Sequence, residues 1–380
     1  MRNGWKKEQL GGLCDILDSQ RKPITKRDRM TGKYPYYGAT GIVDHVNDFI
    51  FDEPLVLVGE DGAKWESGES TAFRVEGKCW VNNHAHVLRP HRKIVLDNWL
   101  VYFLNHSDLS KFVSGLTVPK LNQGNLREIS IPIPPLPEQQ RIVGLLDRAF
   151  AGIAIAKTNS EKNLQNARAL FESHLQWVFT QRGEGWKQKT LEEIAITFGR
   201  GKSRHRPRNA PHLYGGKYPF VQTGDIRNAD HIITEYSQTY SKAGLSQSKL
   251  WPKGTICITI AANIAETAIL GFDACFPDSV IGVVVNPEEA EVGFVEYLLQ
   301  SFKARIQAMG KGSAQANINM GTFEHERFPF PSVVEQKQIV ARLDGLCNET
   351  QRLESIYQQK LAALEDLKKS LLHQAFTGGL

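Results

Sequence analysis

The chain has 380 residues, 41% of them hydrophobic and 23% charged, which is the balance of a globular protein with room for two or three cores and excludes a disordered chain. A net charge of +5 is compatible with a polyanionic partner without singling one out. Cys14, Cys79, Cys257, Cys275 and Cys347 show no C-x-x-C spacing, so neither a zinc site nor a secreted disulfide framework is indicated and no metal site is expected.

The opening Met1-Arg2-Asn3-Gly4-Trp5-Lys6-Lys7 has no apolar signal core, and the greasiest run, Ile256 to Phe272, is broken by Asn263 and Glu266. A soluble cytoplasmic protein that does not engage a membrane is therefore expected. Residues 1–136 show short apolar runs, such as Leu55-Val56-Leu57-Val58 and Ile129 to Ile133, punctuated by Gly and Asn, with one helix-like segment from Asn98 to Ser107. That pattern predicts a strand-rich α+β module. Pro132, Pro134, Pro135 and Pro137 then form a stop, and a proline-free stretch predicts a long helix over 137–183. The arrangement repeats: a second module over 184–331, a break at Pro329 and Pro331, and a second helix over 332–380.

A spacing of three and four gives each helix an apolar seam. In the first it runs through Ile142, Leu146, Ala149, Ile153, Ala156, Ala167, Leu170 and Trp177; in the second through Ile339, Leu343, Leu346, Leu353, Tyr357, Leu364, Leu367 and Leu371. Antiparallel pairing of the two helices is the economical geometry, in a rod of about 60 Å. The alternative is that each packs on its own module.

The two halves share more than layout. Gly4-Trp5-Lys6 returns as Gly185-Trp186-Lys187, Lys33-Tyr34-Pro35 as Lys217-Tyr218-Pro219, and Pro137-Glu138-Gln139-Gln140-Arg141-Ile142-Val143 as Val334-Glu335-Gln336-Lys337-Gln338-Ile339-Val340. The separation grows from 181 to 184 to 197 residues, the mark of an old duplication with insertions. Two similar modules on one chain suggest two similar targets. A free-standing bipartite DNA-binding protein and an enzyme are the competing readings. The nearest string to a methyltransferase N-P-P-aromatic motif, Asn286-Pro287-Glu288, has a carboxylate in the wrong place. Gly201-Lys202-Ser203 lacks the glycine that a phosphate loop needs at position 196, which is Ile.

The duplicated G-W-K opening, the K-Y-P segment and Pro132-Ile133-Pro134-Pro135-Leu136-Pro137-Glu138-Gln139-Gln140, each followed by a long helix, resemble the DNA-specificity subunit of type I restriction-modification systems. The resemblance covers essentially the whole chain. It implies two target-recognition domains, each reading half of a split asymmetric site on double-stranded DNA, with the helices as spacer and docking surface for two methyltransferase subunits. It also implies a non-catalytic chain without a cofactor of its own: S-adenosylmethionine belongs to the methyltransferase partner, and ATP and magnesium to the restriction and translocase subunits.

Positions kept between the copies are candidate scaffold; polar loops that differ are candidate DNA contacts. Arg200, Lys202, Arg204, Arg206 and Arg208 crowd a Gly- and Pro-containing loop where a phosphate backbone could pass, and Arg21, Lys22, Lys26, Arg27 and Arg29 form a parallel cluster. Asn82, His84 and His86 alternate, so a strand over Trp80 to Leu88 aims all three at one face, either toward DNA or as a satisfied polar cluster; a two-histidine metal site lacks its remaining ligands. Lys120 and Asn122 align with Ser313, Gln315, Asn317 and Asn319 in amide-bearing loops, where an Asn or Gln can pair with adenine or an Asn can close a backbone turn. Lys64, Trp65 and Asn263 complete the set of loop candidates.

Overall fold

The computed structural model describes residues 4–115, 117–181, 183, 185–261, 263–310 and 318–380. The chain divides into two compact units, one formed by residues 1–162 with 357–380 and the other by 163–356. Each unit therefore takes one stretch from each of two helices, Leu136–Thr180 and Val333–Thr377, both 45 residues long. No helix among the described residues is long and apolar enough to cross a membrane.

The first unit holds a four-stranded antiparallel sheet in the order Cys14–Ile16, Ala85–Pro90, Leu55–Gly59, Ala72–Val75. The second holds Ala195–Arg200, Val280–Val285, Ile256–Thr259 and Thr267–Leu270 in the same order, with Ile232–Ile233 added in parallel at the edge. The smaller sheets also match. Gly41–Val46, Thr31–Gly38, Lys78–Val81 and Phe51–Asp52 in the first unit answer to Gln238–Tyr240, Tyr214–Phe220, Ala274–Cys275 and Leu250–Trp251 in the second, and in both the middle pair is parallel.

The repeated motifs build the joint between each module and its helix. Gly4 and Gly185 both have positive φ, 95° and 94°, a backbone state that costs glycine least, which explains the glycine of G-W-K. The tryptophan that follows makes an edge-on contact at the module's central helix: Trp5 with Trp99 at 5.7 Å, Trp186 with Phe294 at 6.2 Å. The next residues pair with the proline-containing strand, Lys7 opposite Pro132 and Gln188 opposite Pro329. These are two-stranded ribbons, where the missing proline N–H removes no interior ladder bond.

The glutamine shared by the motif copies, Gln139 and Gln336, is fully buried in both. Gln139 Oε1 accepts from the Leu96 amide at 3.0 Å while its Nε2 donates to the Pro134 and Ile94 carbonyls at 2.9 and 2.8 Å. Gln336 repeats this, accepting from the Glu291 amide at 2.8 Å and donating to the Pro331 carbonyl at 2.9 Å. One amide thus satisfies main-chain groups of two elements that would otherwise be buried unpaired.

Within the first unit the two helices run antiparallel: Arg141, Phe150 and Lys157 meet Leu380, Lys368 and Glu365 in reverse order. In the second, Arg168 bonds Glu354 at 2.7 Å. The helices also pack on modules. Ile142, Leu146, Leu372 and Ala375 join the first core with Val56, Val58 and Trp99, and Leu175, Phe179 and Leu343 join the second with Ile256, Ile258 and Phe294. The expected seam is only partly the observed one, since Leu170, Trp177, Leu353 and Leu367 are exposed.

Candidate nucleic-acid interface

Strand register makes the two modules comparable residue by residue. Val58 pairs with His86 and Ile258 with Ile281; Ile16 pairs with Leu88 and Phe198 with Val283. The loop bonds agree: Glu60 N–H donates to the His84 carbonyl at 2.8 Å, Ile260 N–H to the Ser279 carbonyl at 3.0 Å, and Leu121 and Ile318 return to Glu60 and Ile260 at 2.8 and 3.3 Å. The candidate loops of both modules therefore leave the same end of the same strands.

In the first module that end is built on a buried ionic cluster. His86, with no exposed surface, has Nδ1 at 2.6 Å from the Asp18 carboxylate and Nε2 at 2.7 Å from the Leu121 carbonyl. Glu60 lies 3.8 Å from His86, takes Lys120 at 2.8 Å and pairs with Arg21, which also donates to the Ala85 carbonyl at 2.8 Å. The Gln123 amide donates to Asp18 at 3.1 Å. Burial pushes the Asp18 carboxyl up, but the hydrogen bond and charge of His86 outweigh it and the net shift is downward; for Glu60 burial is likewise overcome by Lys120 and Arg21. One ligand atom from each of Asp18, Glu60 and His86 falls within 4.8 Å of the others, spacing that suits a metal. The carboxylates already face Arg21 and Lys120 and both ring nitrogens are engaged, so the chain's own cations fill that role.

The structure corrects several expectations here. No continuous strand spans Trp80 to Leu88: Lys78–Val81 and Ala85–Pro90 are separate, and Asn82 to His84 form the turn between them. Asn82 is buried and accepts from the His84 amide at 2.8 Å, and only His84 projects outward, pairing with Asp61. His86 points inward because Ala85–Pro90 lies between two strands and its partners Asp18, Glu60 and Leu121 close over it. Trp65 is also interior, its Nε1 donating to the Gly59 carbonyl at 3.2 Å. Lys64 is exposed, 3.4 Å from Glu69. Of the basic cluster, Arg21 is consumed by the buried network and Arg29 by Asp44 at 3.1 Å and the Tyr36 ring at 4.5 Å, while Arg27 pairs with Asp28 at 3.2 Å; Lys22 and Lys26 are exposed.

The second module carries none of that cluster. Arg200, Ile260 and Ile281 stand where the first has Asp18, Glu60 and His86, and Arg200 turns to the Asp278 carbonyl at 2.7 Å. By the same register Asp278 matches Asn83, whose carbonyl receives Arg21 at 3.4 Å. Different arginines thus close equivalent carbonyls. Along the basic loop Arg206 donates to the Ser203 and His205 carbonyls at 2.7 and 2.9 Å, and Arg208 pairs with Asp278 at 2.8 Å. Lys202 and Arg204 are exposed and form no ion pair among the described residues. Asn263 lies 3.5 Å from Arg227, a cation outside the two basic clusters of the sequence.

Asn122 and Asn319 are helix N-caps, accepting from the Asn125 and Thr322 amides at 2.9 and 3.2 Å, which is the backbone role their shared position allowed. Ser313, Gln315 and Asn317 lie outside the described residues. Asp18 and Glu60 carry no signal in the sequence, and Arg21 carries one only as a member of a basic cluster. Their partners are tens of residues away along the chain, so no local spacing marks them.

Comparison with known proteins returns one family. The profile described as the type I restriction modification DNA specificity domain matches residues 2–166 and again 183–363. A protein of Haemophilus influenzae named as a type I restriction enzyme specificity subunit is 28% identical over 355 residues, covering 90% of this chain and 86% of its own. The EcoKI specificity subunit of Escherichia coli K12 is 23% identical over 87% of this chain and 75% of its own. Among solved structures, the HsdS subunit of Thermoanaerobacter tengcongensis superposes with a TM-score of 0.63 at 19% identity over 100% of this chain and 98% of its own, evidence for the fold. A chain from a study of type I R-M complex assembly and conformational transition reaches 0.76 at 18% identity, covering 100% of this chain and 99% of that one.

Proposed function

Because this chain belongs to the type I restriction modification DNA specificity family and is a non-catalytic, DNA-recognising specificity subunit, we propose that its two modules each read one half of a split, asymmetric sequence in double-stranded DNA. The observation that carries this reading is the pair of equivalent faces on one scaffold: corresponding joints, the same strand register, and loops that differ in charge and chemistry at the same place. Equal supports with unequal faces suit two different half-sites. In the first module the contacting groups are Lys64, His84 and Lys120; in the second they are Lys202, Arg204, Arg206, Arg208 and Asn263, with Arg200 holding the loop. Asn122 and Asn319 serve as helix caps, and Ser313, Gln315 and Asn317 are proposed contacts on the sequence pattern alone. The helices dock two methyltransferase subunits, which carry S-adenosylmethionine and through which restriction subunits using ATP and magnesium join.

Co-expression with its methyltransferase subunit, followed by sequencing that detects modified adenine, tests this directly. Methylation at a two-part motif with a fixed gap is expected. Methylation at a single continuous motif, or recovery of the purified chain from host lysate without any methyltransferase, would favour the free-standing DNA-binding protein instead.

A further inference from the structure

One cation of the second module is poorly accounted for by the protein alone. Lys249 is half-buried, with Nζ 3.6 Å from the centroid of the buried Trp251 ring. It pairs with no carboxylate among the described residues, and the Asp278 carboxylate that faces the neighbouring loop is taken by Arg208 at 2.8 Å. Burial and the charge of nearby Lys202 both pull its pKa down. This proximity is built in. The Ser248 hydroxyl donates to the Lys202 carbonyl at 2.8 Å, and the His205 amide donates to Gln247 Oε1 at 3.0 Å, pinning the basic loop to the segment that carries Lys249.

An aromatic face steadies an ammonium but neutralises no charge, and a lysine whose stem is fixed by a ring loses less freedom when an anion arrives. Register places Phe49 of the first module where Lys249 stands in the second, because Phe51 and Trp251 occupy matching positions opposite Cys79 and Ala274. We infer that Lys249 and Lys202 together grip a backbone phosphate of the DNA bound by the second module, a contact that the first module does not make. The inference rests on the DNA-binding reading above and extends it to a residue outside the basic loop.

The test uses the complex of this chain with its methyltransferase subunit and a labelled duplex cut from a genomic segment that the complex methylates. Dissociation constants are measured over a series of salt concentrations. Lys249→Met keeps the stem on Trp251 and removes the charge. It is expected to weaken binding and to reduce the slope of log affinity against log salt by about 0.9, one phosphate contact, while the methylated motif stays the same. Lys249→Arg should restore the slope. An unchanged slope in a folded Lys249→Met complex overturns the assignment. If that variant does not fold, Lys202→Gln, altered on an exposed side chain, carries the same expectation and the same refutation. Binding by the unaltered complex that shows no salt dependence would instead overturn the DNA-binding reading itself.

Discussion

Tyr297 donates its hydroxyl hydrogen to the Asp344 carboxylate at 2.7 Å, and the bond joins the second module to the C-terminal helix. Tyr102 and Asp147 form the same bond in the first module. Burial, reinforced by the carboxylate, pushes both phenols well above the ordinary tyrosine range, so each remains a donor throughout the stable pH range. Tyr297→Phe keeps the ring and strands the carboxylate. A loss of about 1–3 kcal/mol is expected by chemical denaturation, as for a hydrogen bond to a charged group. Retention of full stability would show that the joint does not depend on it.

The buried glutamines should be harder to replace. Gln336→Leu leaves the Glu291 amide and the Pro331 carbonyl without their partner, and Gln139→Leu does the same to Leu96, Ile94 and Pro134. Each stranded buried group costs roughly 1–3 kcal/mol. Either variant should lower the melting temperature by several degrees, and the double variant should do so additively, because the two sites share no partner.

The two modules should respond to pH in opposite directions. Asp18 and Glu60 have lowered carboxyl pKa values in the fold, so their stabilisation is complete above the ordinary carboxylate range near 4 and is lost as pH falls through the lowered values. His231 is the reverse. Burial pulls its pKa down, but Glu296 at 2.6 Å raises it overall, so its contribution is complete below about 6.5 and fades as pH rises through the raised value. In stability measured against pH, Asp18→Asn should flatten the acid limb and His231→Gln the limb above neutrality. Exchange of these effects between the variants would contradict the assignment.

On the basic loop, Arg204 is exposed and forms no ion pair among the described residues, while Arg206 is held by two carbonyls. Arg204→Ala should reduce the salt slope of DNA binding by about 0.9 with the methylated motif intact. Arg206→Ala should also change loop order, visible as faster amide exchange across the loop. A change in the methylated bases would assign either arginine to base readout.

Adding one turn to both helices, after Asn159 in one and after Leu361 in the other, lengthens each by about 5.4 Å. The expected outcome is a changed gap between the halves of the methylated motif, with neither half altered. An unchanged gap would exclude the helices as the measure of that gap.

What is legible in the sequence follows from where each interaction is encoded. Gly4-Trp5, Gln139 and their copies act through local geometry repeated in both halves, so the duplication by itself marks the joint. The helix seam slips because a fixed seven-residue frame drifts about 20° per heptad on a straight helix. Over 45 residues that turns Leu170, Trp177, Leu353 and Leu367 to solvent and brings Leu175, Phe179 and Leu372 inward. The burial of His86 is illegible because Asp18, Glu60 and Leu121 come together only through the sheet, and the alternation over Asn82, His84 and His86 hides a turn.

The separation of joint from loops has an evolutionary consequence. Trp5 packs on Trp99, Tyr102 bonds Asp147 of the long helix and Gln139 of that helix bonds the module's main chain, whereas His84, Lys64 and Lys120 pair with Asp61, Glu69 and Glu60, and the joint of the second copy is arranged alike. A recombination event that replaced one cassette between the tryptophan and the glutamine would install a new half of the vocabulary while leaving the grammar of assembly untouched.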